Sequence, residues 1–186
     1  MSNSVFKCLR CRECCFFSNI DDCPVVYPWE KRVLEKLALT HAGGAKLSFK
    51  PYLSFSSKDK LVVVLYKWII EGYCPFYDRD NRACRIYEDR PFSCKMYPLI
   101  LGLKDNTLRL STTCKWVQEN MKEPAQPIDP SKVFPYEYDV AVKNFVRLKY
   151  ITQIMSSMGL NEVIGEETGD KQVIDVDEYI TIEVND

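Results

Sequence analysis

Four of the nine cysteines fall within eight residues near the start of the chain, as Cys8-x2-Cys11-x2-Cys14-Cys15. A C-x2-C spacing lets two thiolates converge on one metal, because the two intervening residues turn the backbone back. Two such spacings in series supply three convergent ligands, with the fourth arriving from elsewhere, as in bacterial ferredoxin runs. The remote candidates are Cys74, Cys84, Cys94 and Cys114. Cys15, next to Cys14, serves a second site or a redox or structural role. A lone cysteine is more often a buried apolar thiol, but four at this density point to metal. Cys23 stands outside any tight spacing and reads as a structural thiol.

An all-thiolate set suits zinc and iron–sulfur clusters alike. The single histidine, His41, excludes repeated Cys2His2 fingers. The remote cysteines come singly, without the paired C-x2-C hooks of a zinc ribbon. That pattern favours an iron–sulfur cluster of the 4Fe–4S kind, with zinc as the alternative. Either centre carries net negative charge when held by four thiolates. Lys7, Arg10, Arg12, Arg82, Arg85, Arg90, Lys95 and Lys115 all stand near cysteines in sequence and are candidates to offset that charge. The C-x3-C-x2-C spacing of radical S-adenosylmethionine enzymes is absent, since Ser18 stands where the third cysteine would be. Residues 41–46 match neither the phosphate-binding loop nor the dinucleotide fingerprint.

The chain is 186 residues long and 46% apolar, enough to bury a core. Its 25 bases nearly balance its 26 acids, so no global field calls for nucleic acid or membrane. The balance hides an asymmetry: residues 161–186 hold nine acids and one base, net −8, against net +7 for residues 1–160. The opening MSNSVFKCLRCRECCFF has no apolar run of signal-peptide length, and the longest apolar run, Leu61 to Tyr66, is too short to span a bilayer. A cytoplasmic protein with free or metal-bound thiols is therefore expected, and its partner is expected to be a redox or other protein.

Several elements must position these cysteines. Pro28 opens a helix to about Thr40 with Val33, Leu34 and Leu37 on one face. Leu61–Tyr66 reads as a buried strand within a β-rich stretch over 46–69. Residues 74–98 read as loop, and Leu99–Leu103 with Thr107–Thr112 as a β-hairpin. Pro124, Pro127, Pro130 and Pro135 mark a connector before a helix over 137–158, striped by Val142, Phe145, Val146, Ile151, Ile154, Met155 and Met158. An acidic tail follows from 161, closing in a strand over Tyr179–Val184. The fold class expected is α+β: a small cysteine-rich, metal-organised domain over 1–160 with a β-hairpin and a long C-terminal helix, then the tail over 161–186.

Taken together, Cys8-x2-Cys11-x2-Cys14-Cys15, Cys74-Pro75-Phe76 and the run from Cys84 to Pro98, CRIYEDRPFSCKMYP, resemble the YkgJ-type cysteine-cluster family. The resemblance covers about residues 6–115, with Cys114 at the family's late cysteine. Glu13 and Trp116 replace glycines common in the family. The resemblance implies a zinc- or iron-chelating domain, often labelled as carrying an iron–sulfur cluster. It implies as ligands Cys8, Cys11, Cys14, Cys15, Cys74, Cys84, Cys94 and Cys114. A related domain in flagellin lysine-N-methylases adds a cluster-bearing protein methyltransferase as a further alternative.

Overall fold

The computed structural model describes residues 5–103, 105–121, 128–165 and 169–182. The chain divides into two compact units, one of Met1–Ser18 with Glu71–Arg147 and one of Asn19–Ile70 with Leu148–Asp186.

The second unit is built on a five-stranded sheet. Its centre is the strand Lys60–Ile69, whose residues 61–65 are all at most 1% exposed. A run buried on both faces is continuously apolar rather than alternating, which is why LVVVL shows no period of two. Ser48–Ser56 pairs with it antiparallel, and the register slips between Pro51 and Leu53. Proline cannot donate to a ladder, so a bulge beside it is a natural accommodation. Asn161–Ile164 extends the sheet antiparallel to Ser48–Ser56, and Gln172–Asp175 lies parallel to Lys60–Ile69 on its other side. The two-residue strand Val25–Val26 also pairs with Lys60–Ile69.

The acidic stretch expected as an appended tail therefore supplies two strands of the sheet. Its closing segment is also not a strand where it is described. Val176–Tyr179 is a short helix with Val176 fully buried, 180–182 have no regular structure, and residues 183 and 184 lie outside the described residues. Arg32 explains how an acidic segment is held, since its guanidinium donates to Asp175 at 3.1 Å and to Asp177. The hydroxyl of Tyr66 donates to the other oxygen of Asp175 at 2.6 Å. The helix Pro28–His41 carries Arg32; it begins with proline at its first turn, and Glu30 accepts from the Tyr27 N–H. It buries Leu34 and Ala38, one turn apart, whereas Val33 is 45% exposed.

Among the described residues, the first unit has only short strands, of two or three residues. Phe16–Phe17 pairs with Gly72–Tyr73, Tyr77–Asp78 with Ala83–Cys84, and Leu99–Leu101 with Leu108–Leu110, all antiparallel. The last pair is the expected hairpin, with Lys104 of its connection outside the described residues. The region read as loop over 74–98 thus contains a small ladder and the helical turn Phe92–Lys95. Apolar packing here comes from Phe76, fully buried, and from an aromatic group of Phe6, Trp116 and Phe134 with ring centroids 5.3–5.7 Å apart. The backbone N–H of Phe6 donates to Val133 at 2.8 Å, fixing the approach to Cys8.

Of the proline connector, Pro124 and Pro127 lie outside the described residues, while Pro130 and Pro135 each start a helix, Pro130–Val133 and Pro135–Ser157. The long helix has 23 residues, and two strands follow it. Its buried residues are Ala141, Asn144, Leu148, Ile151 and Met155, at spacings of three and four. Val142, Val146 and Met158 of the expected stripe are 41%, 61% and 51% exposed. The stripe was displaced because a small and a polar residue, Ala141 and Asn144, occupy inward positions. No helix among the described residues is long and apolar enough to cross a membrane.

Candidate metal centre

All eight candidate cysteines belong to the first unit, whereas Cys23 belongs to the second. The ladder Phe16–Phe17 to Gly72–Tyr73 joins the two cysteine regions. Next to it the Cys74 N–H donates to the Cys15 carbonyl at 2.8 Å, so residues 59 apart in sequence are backbone neighbours. The hairpin of Tyr77–Asp78 and Ala83–Cys84 then returns Cys84. Its turn is tied by the Asp78 carboxylate, which accepts from the N–H groups of Asp80 and Asn81 and from the Asn81 amide, each at 3.0 Å. These contacts hold the Asp78 carboxyl at about 2, below the usual carboxylate range. Cys94 sits in the helical turn Phe92–Lys95, and Cys114 directly precedes the helix Lys115–Asn120.

Cys14 is the hub of the cluster. Its sulfur lies 3.9 Å from that of Cys15, and it interacts electrostatically with Cys8, Cys74, Cys84, Cys94 and Cys114. Cys11 interacts with Cys8 and Cys114. Five of the thiols, Cys8, Cys11, Cys14, Cys94 and Cys114, line one cleft of about 420 Å³ including its open mouth. Phe6, Leu9, Tyr87, Tyr97 and Trp116 supply its apolar wall, and Arg90 and Glu137 its charges.

Four sulfurs share a local arrangement. Backbone N–H groups two or three residues further on favour the thiolate at Cys8 (Arg10), Cys74 (Phe76 and Tyr77), Cys84 (Ile86) and Cys114 (Val117 and Trp116). Arg10 adopts a left-handed backbone, φ 51°, which turns the C-x2-C segment back on itself. An N–H aimed at sulfur stabilises the thiolate over the thiol. Burial opposes it: desolvation pushes the thiols of Cys8, Cys84, Cys94 and Cys114 up, and that of Cys74 to about 12. Cys14 is pushed up first by its contact with Cys15 and then by burial. Protonated thiols packed together in this way become thiolates by exchanging protons for a metal.

The donor set therefore fits a thiophilic metal in its chemistry. Among the described residues, no group of three or more Cys, His, Asp or Glu side chains is drawn together tightly enough to hold a single metal ion; the thiols surround a cleft instead. Of the cations near cysteines in sequence, Arg90 reaches the cleft. Arg12 donates to the Tyr73 hydroxyl at 2.9 Å, Arg85 pairs with Asp78 at 3.5 Å and Lys115 with Glu119 at 3.8 Å. Cys23 is bound otherwise: its thiol donates to the Ile70 carbonyl at 3.3 Å and accepts from the Ile70 N–H at 3.4 Å. Glu137 and Phe6 had no local sequence signal, because neither stands within a cysteine spacing. Tertiary packing brings them to the cleft.

A cleft walled by thiols from three segments of chain defines a cysteine-cluster protein. The chain belongs to the CxxCxxCC family, described as "Putative zinc- or iron-chelating domain", whose family model matches residues 7–119. Comparison with curated proteins and with solved structures found no match.

Proposed function

We propose that the first unit is a metal-binding module whose cysteine thiolates hold an iron–sulfur cluster, of the 4Fe–4S kind, serving electron transfer or redox chemistry with a protein partner. The observation that carries this reading is the gathering of five thiols, Cys8, Cys11, Cys14, Cys94 and Cys114, from three segments of chain around one cleft. Hydrogen bonds to ligand sulfurs, where backbone N–H groups supply them, tune cluster potential. The cleft that these thiols line is where the group would sit. Bound there, a cluster would supply one-electron capacity. The chain's own residues would anchor it through Cys8, Cys11 and Cys14 with partners from Cys15, Cys74, Cys84, Cys94 and Cys114, and Phe6 and Trp116 would limit water access.

Protein produced with iron supply and purified without oxygen tests the reading by metal and acid-labile sulfide analysis. Brown protein with iron and sulfide in comparable amounts is expected. Stoichiometric zinc without sulfide would replace the redox reading with a structural zinc module for protein interaction. Neither metal would overturn both.

A further inference from the structure

Arg90 is held in the cleft more firmly than a surface cation would be. It precedes Pro91, whose fixed φ leads into the helical turn of Cys94. Its Nε donates to the Tyr87 carbonyl at 2.8 Å, and Nη1 donates to the Cys94 carbonyl at 3.4 Å. The guanidinium also lies 3.8 Å from the centroid of the Tyr87 ring. Two carbonyls and a ring face together fix the plane of the group, a geometry available to arginine and not to lysine. Among the described residues, it is the one side-chain cation lining the cleft with Cys8, Cys11, Cys14, Cys94 and Cys114.

Four thiolates around a metal leave net negative charge in a partly desolvated site, and an uncompensated buried charge is costly. We propose that Arg90 is the fixed counter-charge of the centre, offsetting the negative charge that the thiols lining the cleft with it, Cys8, Cys11, Cys14, Cys94 and Cys114, acquire when they bind metal. This inference rests on the thiolate-metal reading above. In support, Arg90 lines the same cleft as those thiols, which come from three separate segments of chain, and its Nη1 donates to the carbonyl of one of them, Cys94. Glu137, whose carboxyl burial pushes up, lines the cleft as well.

The test compares wild type, Arg90→Met, Arg90→Lys and Cys14→Ser, each prepared metal-free and then titrated with zinc(II) against a competing chelator. Zinc is used because thiolate sites bind it without needing sulfide. Arg90→Met should lose roughly 10–100-fold in zinc affinity, as for other groups that support metal ligands. Arg90→Lys, which keeps the charge without the planar fork, should lose less. Thermal melts of both forms separate charge from bracing: Arg90→Met should lower the melting temperature of the zinc-loaded protein clearly more than that of the metal-free protein. Unchanged zinc affinity in Arg90→Met overturns the proposal, as does an equal drop in both forms, which would make Arg90 only a brace between Tyr87 and Cys94. If Arg90→Met does not fold, Arg90→Gln, which keeps two donors without the charge, carries the same comparison. Wild-type protein that binds no metal defeats the thiolate reading itself. Weak binding by Cys14→Ser beside unchanged Arg90→Met defeats the Arg90 proposal alone.

Discussion

In one unit of this protein a ten-residue strand runs through the core with its central eight residues buried. In the other, no strand among the described residues exceeds three residues. Both kinds of structure must offset the same cost of roughly 1–2 kcal/mol per ordered residue. The sheet unit does so with buried area: Val62, Val63, Val64 and Leu65 are inaccessible, as are Phe55 and Tyr27. The cysteine unit buries Phe76, Ile86, Phe92, Met96, Leu99, Trp116, Val117 and Phe134 between short strands and turns. Most of its thiols are only partly covered, and Cys8 is exposed. The contrast assigns the sheet unit its stability from packing and the cysteine unit much of its stability from the metal it is proposed to bind.

The largest effect should follow from stripping the metal. Structural metal sites contribute apparent binding energies on the order of 10 kcal/mol to folding. Hydrogen exchange after chelation should show the Cys74, Arg85 and Ser111 amides, whose partners are the carbonyls of Cys15, Phe76 and Pro98, losing protection. The amides of Lys60–Ile69 should stay protected. Equal loss in both units would erase the contrast, and no loss in the cysteine unit would show that it folds without metal.

Removing residues 161–186 should act in the opposite direction. The deletion takes away both flanking strands and the fully buried Val176, whose burial alone is worth roughly 1.5–3 kcal/mol. The sheet unit should lose cooperative unfolding while metal content per chain stays unchanged. A truncated protein as stable as the full chain would mean that these strands do not hold the sheet.

Those two strands also show where the sequence was hard to read. The Pro28 helix, the Leu61–Tyr66 strand, the hairpin around 104 and the long helix were all legible, because each has a start signal or a period. Asn161–Ile164 and Gln172–Asp175 were not, since they are mostly exposed edges, and the second is held through Asp175 by Arg32, 143 positions away. The cysteines were legible as a set from their spacing, and their gathering in one unit matches that reading. Glu137 and the aromatic wall were illegible because only tertiary packing brings them there. The choice of Arg90 among eight nearby cations was equally hidden, since Tyr87 and the Cys94 carbonyl make that choice.

A single-atom exchange sharpens the contrast. Cys14→Ser should lower metal content. Cys23→Ser should leave metal content unchanged yet cost the sheet unit about 1–2 kcal/mol in denaturant unfolding, because the smaller oxygen sits poorly in a buried slot matched to sulfur at both Ile70 contacts. Metal loss in Cys23→Ser with none in Cys14→Ser would reverse the assignment of the two thiols.

The smallest effect is a pH dependence of the sheet unit. Burial, together with the hydrogen bond to Asp175, pushes the Tyr66 hydroxyl above its ordinary value. An acid raised in the folded state contributes stability that is intact below its unfolded value, about 10, and is lost as pH rises towards the folded one. Stability should therefore decline above about pH 10. Tyr66→Phe should be less stable than wild type at neutral pH by about 1 kcal/mol and show a shallower decline. Parallel pH profiles for the two proteins would remove Tyr66 from the explanation.

X-ray absorption at the metal edge of protein loaded during anaerobic production tests most directly whether the cysteines are the ligands. An all-sulfur first shell is expected, accompanied by iron–iron scattering if the group is a cluster. A shell of nitrogen or oxygen donors, or one that Cys11→Ser and Cys14→Ser together leave unaltered, would contradict a centre built from these thiols.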